Sequence, residues 1–319
     1  MRLWNRLAAA APLFWPGLWA QESGPVFRAD TRLVVLHASV VDRSGKLLTN
    51  LPRSAFRVFE DNVEQQIKIF RREDVPVSMG LVIDNSGSMR DKRQKVEAAA
   101  IQLVKASNPR DEAFIVNFND DAYLDVDFTG DIRLMEEGIA RIDSRGGTAM
   151  RDAIHLSVQH LKEKGKHDKK VLFVVTDGND NASEITLEKL VQRLQQAEVL
   201  VYAIGLLSEE DKREARRAKR ALDAITQATG GVAFYPASLD EVNKIALQVA
   251  HDIRNQYIIA YTPSNPMLDG SYRQIRVTVN GPNRPVVRTR TGYYATPEPA
   301  RRPAPGSGSP GAAASALRP

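Results

Sequence analysis

The stretch VSMGLVIDNSGS, residues Val77 to Ser88, contains the change of pattern on which the fold assignment depends. Its first seven residues are largely apolar and do not alternate with polar ones, which predicts a strand buried on both faces. The apolar run ends in Asp84, and Ser86 and Ser88 follow at alternate positions. A buried strand that ends in this way is compatible with a phosphoenzyme nucleophile, a serine nucleophile, a metal site or a polar turn.

Further strands of this buried type alternate with helical patterns along the chain. The apolar segments EAFIVNF, KVLFVVTDG, VLVYAIGL and YIIAYTP are separated by amphipathic segments such as KRQKVEAAAIQLVKAS and AMRDAIHLSVQHLKEK. Buried strands that alternate with helices are typical of a parallel sheet with helices on both faces. We therefore predict an α/β fold for residues 75–262, with a doubly wound, mostly parallel, Rossmann-like sheet.

Both flanks of this region predict β-structure. Residues 28–72 contain alternating segments on either side of Asp61–Asn62, a pattern that favours a hairpin. Residues 270–295 contain two more alternating segments, YRQIRVTVN and VVRTRTGYY. Each set is incomplete alone, so we expect the C-terminal strands to pair with the N-terminal module in a small β-sandwich. The α/β domain is then an insertion between its two halves.

The chain ends predict export and a disordered tail. Residues 1–20 combine Arg2 and Arg6 with an apolar stretch from Leu7 to Ala20, as in a signal peptide cut near Ala20–Gln21. A retained membrane anchor is the alternative reading. Residues 296–319 are rich in Pro, Ala, Gly and Ser, which predicts disorder. We expect a periplasmic, cell-surface or secreted protein.

Composition narrows the function classes. The 319 residues include no cysteine, so disulfides and thiol chemistry are excluded. The net charge of +5 is spread along the chain with few aromatic residues, which gives a nucleic-acid partner little support. The five histidines form no HExxH pattern, and we expect neither catalysis nor a small-molecule substrate.

The candidate site lies where the buried strands end. Loops at the carboxyl ends of parallel strands line the ligand crevice of such sheets. Asp84 and Asp177 each end an apolar strand, and Thr148 follows Gly146–Gly147 at a predicted helix start, where it could also be a plain N-cap. Together the three loops would bring two carboxylates and three hydroxyls to one edge of the sheet. Such an oxygen-only set suits Mg²⁺ or Mn²⁺.

The three segments resemble the von Willebrand factor A-type domain family. DNSGS resembles the D-x-S-x-S element of that family's metal-ion-dependent adhesion site, and Thr148 in GGTA and Asp177 in TDG resemble its other two elements, in the same order. The resemblance covers about residues 75–261. It implies that Ser86 and Ser88 bind the metal directly, that Thr148 binds directly or through water, and that Asp84 and Asp177 act mainly through water. The flanks are similar to those of exported bacterial proteins with such a domain.

The resemblance implies a non-enzymatic, metal-dependent binding or adhesion module. Mg²⁺ is the expected metal, with Mn²⁺ or Ca²⁺ as alternatives, and the expected partner is a protein whose Asp or Glu carboxylate completes the coordination. Two other readings stay open from the residues alone. One is a phosphoryl-transfer enzyme with Asp84 as nucleophile, and the other is an envelope scaffold with a purely structural metal.

Overall fold

The computed structural model describes residues 33–140, 144–207, 211–281 and 283–297. The predicted signal peptide and the predicted tail beyond residue 297 lie outside these ranges. Among the described residues, none of the helices combines the length and apolar character needed to cross a membrane.

Fourteen strands and six α-helices lie in the described residues. The strands are β1 Val34–Val41, β2 Phe56–Glu60, β3 Val63–Gln65, β4 Ile67–Arg71, β5 Val77–Asp84, β6 Glu112–Phe118, β7 Ala122–Thr129, β8 Lys169–Thr176, β9 Leu200–Gly205, β10 Ala233–Phe234, β11 Tyr257–Tyr261, β12 Tyr272–Val279, β13 Val286–Arg288 and β14 Gly292–Tyr294. The helices are α1 Arg93–Lys105, α2 Ile132–Ala140, α3 Met150–Lys164, α4 Leu187–Ala197, α5 Lys212–Thr229 and α6 Val242–Arg254.

The central sheet has the order β10-β9-β8-β5-β6-β7. All neighbours are parallel except β7, which pairs antiparallel with β6 at one edge. The chain leaves β5 toward β6 and β7, then returns to β8 on the other side of β5 and continues outward. The direction of winding therefore reverses between β5 and β8, which is where ligand crevices form in open α/β sheets.

Two apolar cores cover the two faces of this sheet. Alternate residues of β5 supply the first core, which α1, α2 and α6 complete, and the second core is completed by α3, α4 and α5. All eight residues of β5 are buried, as the uninterrupted apolar run predicts. Helices on both faces of a mostly parallel sheet confirm the predicted fold class.

Two antiparallel sheets of four strands combine strands from before and after the α/β region. Their orders are β13-β1-β11-β4 and β14-β12-β2-β3. A third apolar core contains residues of both sheets, including Leu36 of β1, Val58 of β2 and Ile275 of β12. The hairpin around Asp61–Asn62 joins β2 to β3, and both turn residues have positive φ, 46° and 67°. That geometry matches the type I′ turn, which suits the twist of paired strands.

The structure corrects two strand assignments. The segment YIIAY, predicted as a continuation of the α/β alternation, is β11 and lies between β1 and β4 in an antiparallel sheet. Its residues are apolar because both of its faces are covered, so composition alone resembles that of a central parallel strand. Likewise, the segment QQIKIFRRE, expected as the second strand of the hairpin around Asp61–Asn62, contains β4, which pairs with β11 in the other sheet.

Candidate functional site

The two strands that end in the candidate carboxylates are direct neighbours. Strands β5 and β8 pair in parallel register with Ile83 opposite Val175. Asp84 is therefore level with Thr176, and Asp177 is the first residue beyond β8. The structure thus brings Asp84 and Asp177 to one edge of the sheet, at the point where the winding reverses.

Asp84 is held by two hydrogen bonds in a buried position. Its Oδ1 accepts from the backbone N–H of Ser86 at 2.8 Å, and its Oδ2 accepts from the Thr176 hydroxyl at 2.5 Å. Burial raises the pKa of the Asp84 carboxyl to about 6, although these hydrogen bonds act in the opposite direction. The Asp177 carboxylate contributes to the same increase. Asp84 therefore holds the loop after β5 in place. Its two hydrogen bonds offset only part of the cost of burying its negative charge.

The loop after β5 contains the two candidate serines, Ser86 and Ser88. Ser86 is buried, whereas Ser88 is exposed on a short 3₁₀ turn. Their Oγ atoms are 3.1 Å apart, and the Ser88 hydroxyl donates to Asp177 Oδ1 at 2.8 Å. In an octahedral shell with metal–oxygen bonds of about 2.1 Å, adjacent oxygens lie about 3.0 Å apart. The 3.1 Å spacing of the two serine oxygens therefore fits adjacent positions around a small, hard divalent cation.

The second loop contains Thr148 and is tied to the first by its backbone. The N–H of Gly87 donates to the carbonyl of Gly146 at 3.2 Å, and that of Arg145 donates to the carbonyl of Asn85 at 2.9 Å. Gly146 has a φ of +76°, and a Cβ there would lie 2.0 Å from the Asp120 carboxylate. Glycine is favoured at this position, because the positive φ strains other residues and a Cβ would displace the Asp120 carboxylate.

The third loop closes around Thr148. The Asn181 side chain accepts from the Thr148 N–H at 2.9 Å, and the Asn181 N–H donates to the Thr148 carbonyl at 3.1 Å. The Thr148 hydroxyl faces Gly178, the residue after Asp177, at 3.5 Å from the position of an added Cβ. Thr148 is buried, and the N-cap position of α3 belongs to the next residue, Ala149. The N-cap reading of Thr148 is therefore not what the structure shows.

Three residues that the sequence reasoning missed complete the site. Thr176 anchors Asp84, Asp120 accepts from the Gly147 N–H at 2.7 Å, and Lys92 forms an ion pair with Asp177. A threonine at the end of an otherwise apolar strand is a signal that could have identified Thr176. Nothing local distinguishes Lys92 from the neighbouring charges in RDKRQK, because its contact is with a residue 85 positions away.

The side-chain oxygens at this edge of the sheet determine which cation or which reaction the site could support. The described residues include no group of three or more His, Cys, Asp or Glu side chains suited to a metal. With only two carboxylates, a cation here depends on hydroxyl and water oxygens, which Mg²⁺ accepts readily. The buried Asp84, with both oxygens already accepting hydrogen bonds, is poorly placed as a nucleophile. The Ser86 hydroxyl lies 3.1 Å from that of Ser88, and in the described residues no histidine is hydrogen-bonded to it.

Comparison with known proteins finds a family model that matches part of the chain. Residues 79–179, about a third of the chain, match the von Willebrand factor type A domain. The matched range begins within β5 and ends just after Asp177, so it includes all three loops described above.

The individual proteins that are similar to this chain share little sequence identity with it. An uncharacterized protein of the cyanobacterium Synechocystis is 27% identical over 137 residues, which span 41% of this chain and 32% of that protein. The chain thus matches about a third of the length of this relative. Proximal thread matrix protein 1 of the mussel byssus, in a form with a zinc-occupied MIDAS motif, is 17% identical, with 61% of this chain and 49% of that chain covered and a TM-score of 0.48.

A second similar structure is the vWF domain of the type V pili tip protein Mfa5 from Porphyromonas gingivalis. It is 13% identical, covers 56% of this chain and 97% of its own, and has a TM-score of 0.45. Neither TM-score reaches 0.5, so these two similarities say nothing about function.

Proposed function

We propose that the protein is a metal-dependent protein-binding module, exported from the cell, whose site residues are Asp84, Ser86, Ser88, Thr148 and Asp177. The observation that carries this proposal is the oxygen arrangement at the end of β5 and β8, where Ser86 Oγ, Ser88 Oγ and Asp177 Oδ1 follow one another at 3.1 and 2.8 Å. The domain match over residues 79–179 supports the same assignment.

The site residues would have two roles: some would bind the cation, and the others would hold the serine loop in place. Ser86 and Ser88 would supply direct oxygens, and Thr148 would supply a third, directly or through water. Asp84 and Asp177 would hold the serine loop and accept hydrogen bonds from coordinated water. When bound, Mg²⁺ would supply a positive charge with few direct protein carboxylates against it, which favours an outside carboxylate.

The exposed position of Ser88 supports a partner that approaches from solvent. Ser86, Thr148 and Asp177 are buried, so the site is accessible mainly on the Ser88 side. A protein segment that presents Asp or Glu suits this opening, because a carboxylate is the one common side chain that is both a hard ligand and an anion. The N-terminal sequence, if it directs export, would place this encounter outside the cytoplasm.

Metal titration of matched variants tests the site. We expect the full chain to bind Mg²⁺ or Mn²⁺ in isothermal titration calorimetry, and Ser86→Ala to lose at least about tenfold in affinity, as removal of a direct or orienting ligand typically does. Ser44→Ala is the matched control, because this exposed serine lies in a turn of the antiparallel region. Equal affinity of Ser86→Ala and the control would overturn the assignment.

The partner chemistry is tested with peptide pairs that differ at one position. An array of surface-bound hexapeptides containing one Asp is compared with the same peptides containing Asn. Capture by the full chain in Mg²⁺, lost with Asn and lost in EDTA, is the expected result. Capture that persists in EDTA would favour the scaffold with a structural metal instead.

A further inference from the structure

Lys92 is the one cationic side chain whose ammonium group contacts a carboxylate of the candidate site in the described residues. Its Nζ contacts Asp177 Oδ2, while Asp177 Oδ1 accepts from Ser88. Both oxygens of Asp177 are therefore engaged, one by the serine loop and one by a fixed positive charge. The Asp177 side chain is 1% exposed, so this ion pair lies in a poorly solvated environment where charge interactions are strong.

The position of Lys92 is unusual for a lysine. It is the N-cap residue of α1, Arg93 follows it, and the first turn of this helix has no acidic residue. Cations are normally disfavoured at a helix N-terminus because the helix dipole places partial positive charge there. Helix stability therefore does not explain a lysine here, whereas the contact with Asp177 does.

The exposure of the two partners differs sharply. The Lys92 side chain is 26% exposed, whereas that of Asp177 is 1% exposed. Release of this contact therefore needs only a movement of the Lys92 ammonium group toward solvent. A divalent cation at the serine oxygens would meet Asp84 and Asp177 as its two negative charges. With Lys92 in place, one of these charges is already neutralised, and the incoming cation is also repelled by the ammonium group.

We propose that Lys92 is an internal competitor for the divalent cation, which lowers the metal affinity of the site and stabilises the metal-free state. This inference rests on the proposed metal site. It adds that metal binding requires the Lys92–Asp177 contact to weaken. The loop that contains Ser88 and the start of α1 are then coupled to metal occupancy through one side chain.

The test measures affinity and stability in the same set of variants. We expect Lys92→Met to bind Mg²⁺ at least about tenfold more tightly than the wild type in calorimetric titration, because the competing charge is gone. In EDTA the melting temperature of Lys92→Met should fall, since Asp177 is left buried without its cation, and saturating Mg²⁺ should remove that deficit. A purely structural lysine would lower the melting temperature in both conditions and would leave the affinity unchanged or lower.

Three further variants make the outcome unambiguous. Lys92→Gln removes the charge but keeps a hydrogen-bond donor, so it can replace Lys92→Met if the latter does not fold, and it should also bind more tightly. Lys92→Arg keeps the charge and should retain an affinity close to that of the wild type. Lys95→Met, which removes an exposed lysine paired with Asp240 on the same helix, should change neither quantity.

The results separate this inference from the function it rests on. Unchanged or weaker Mg²⁺ binding in both neutral variants, with binding intact in the wild type, would overturn the role of Lys92 and leave the metal site standing. Absence of Mg²⁺ and Mn²⁺ binding in the wild type and in the neutral variants alike would overturn the metal site itself.

Discussion

At the scale of single residues, the protein buries ionisable side chains with unequal compensation. Asp84 is 1% exposed and, within the residues that the structure describes, accepts two hydrogen bonds and forms no ion pair with a basic side chain. His37 of β1 has fewer compensating contacts, because its buried Nδ1 has no hydrogen-bond partner in the described part of the chain. Burial lowers the pKa of His37 to about 3, and the positive charges of Lys169 and Arg290 act in the same direction. His37 therefore stays neutral in the folded protein under mildly acidic conditions.

The low pKa of His37 predicts that the folded protein loses stability in acid. The unfolded chain takes up a proton at His37 near pH 6.5, whereas the folded chain does so only near pH 3, so the folded state loses stability as the pH falls through this window. The loss is at most about 1.4 kcal/mol per pH unit. Urea unfolding of His37→Gln between pH 7 and pH 4 should show a smaller decrease than the wild type. His251→Gln, at an exposed position, should follow the wild type, and identical slopes for all three proteins would refute this role.

At the scale of single elements, β5 sets the geometry of the site. Its buried side chains are divided between the two cores, and its C-terminal end positions Asp84. Gly80 lies in the middle of the strand, where an added Cβ would be 2.4 Å from the Phe114 ring and 2.6 Å from Leu172. The neighbouring side chains thus fill the space that a larger residue would need.

We therefore expect Gly80→Ala to lower the free energy of unfolding by about 1–3 kcal/mol through overpacking. Combining it with Phe114→Leu should cost less than the sum of the two single changes, because the second change removes the ring that the new methyl group contacts. Gly130→Ala is the control, since an added Cβ there has only one neighbour within 4 Å, a carbonyl at 3.7 Å. Chemical denaturation measures all four variants, and strict additivity would argue against the proposed clash.

At the scale of the whole molecule, residues from both halves of the sequence meet around Glu60. This buried residue of β2 accepts hydrogen bonds from the hydroxyls of Tyr261 in β11 at 2.7 Å and Tyr293 in β14 at 3.0 Å. Arg273 of β12 lies 3.6 Å from the other carboxylate oxygen. One carboxylate therefore connects strands of both antiparallel sheets across more than 200 positions of sequence.

Removal of this carboxylate should destabilise the protein. Glu60→Ala leaves two buried hydroxyls without their acceptor and Arg273 without a buried counter-charge, so we expect a loss of at least about 2 kcal/mol in the free energy of unfolding. Glu64→Ala removes an exposed ion pair with Arg57 at 3.9 Å and should cost about 0–1 kcal/mol. Equal unfolding midpoints for the two variants would show that the cluster around Glu60 adds no stability.

Local patterns in the sequence were sufficient for the fold class and for the candidate loops. Strand type follows from the spacing of apolar residues, and Asp84 and Asp177 could be placed at one edge of the sheet because parallel strands end on the same side. The ligand class follows from residue chemistry, because Ser, Thr and Asp supply only oxygen. These inferences need only short-range patterns and their order along the chain.

Tertiary structure decided the contacts that join distant segments. The sequence of β11 reads as a parallel strand, and only its pairing with β1 and β4 assigns it to the antiparallel region. The Thr176 hydroxyl on Asp84 and the Lys92 ammonium group on Asp177 likewise join residues about ninety positions apart. The sequence by itself determined which chemistry is present at the end of each strand. The fold alone determined which charges face each other, because that depends on the order of the strands and the paths of the loops between them.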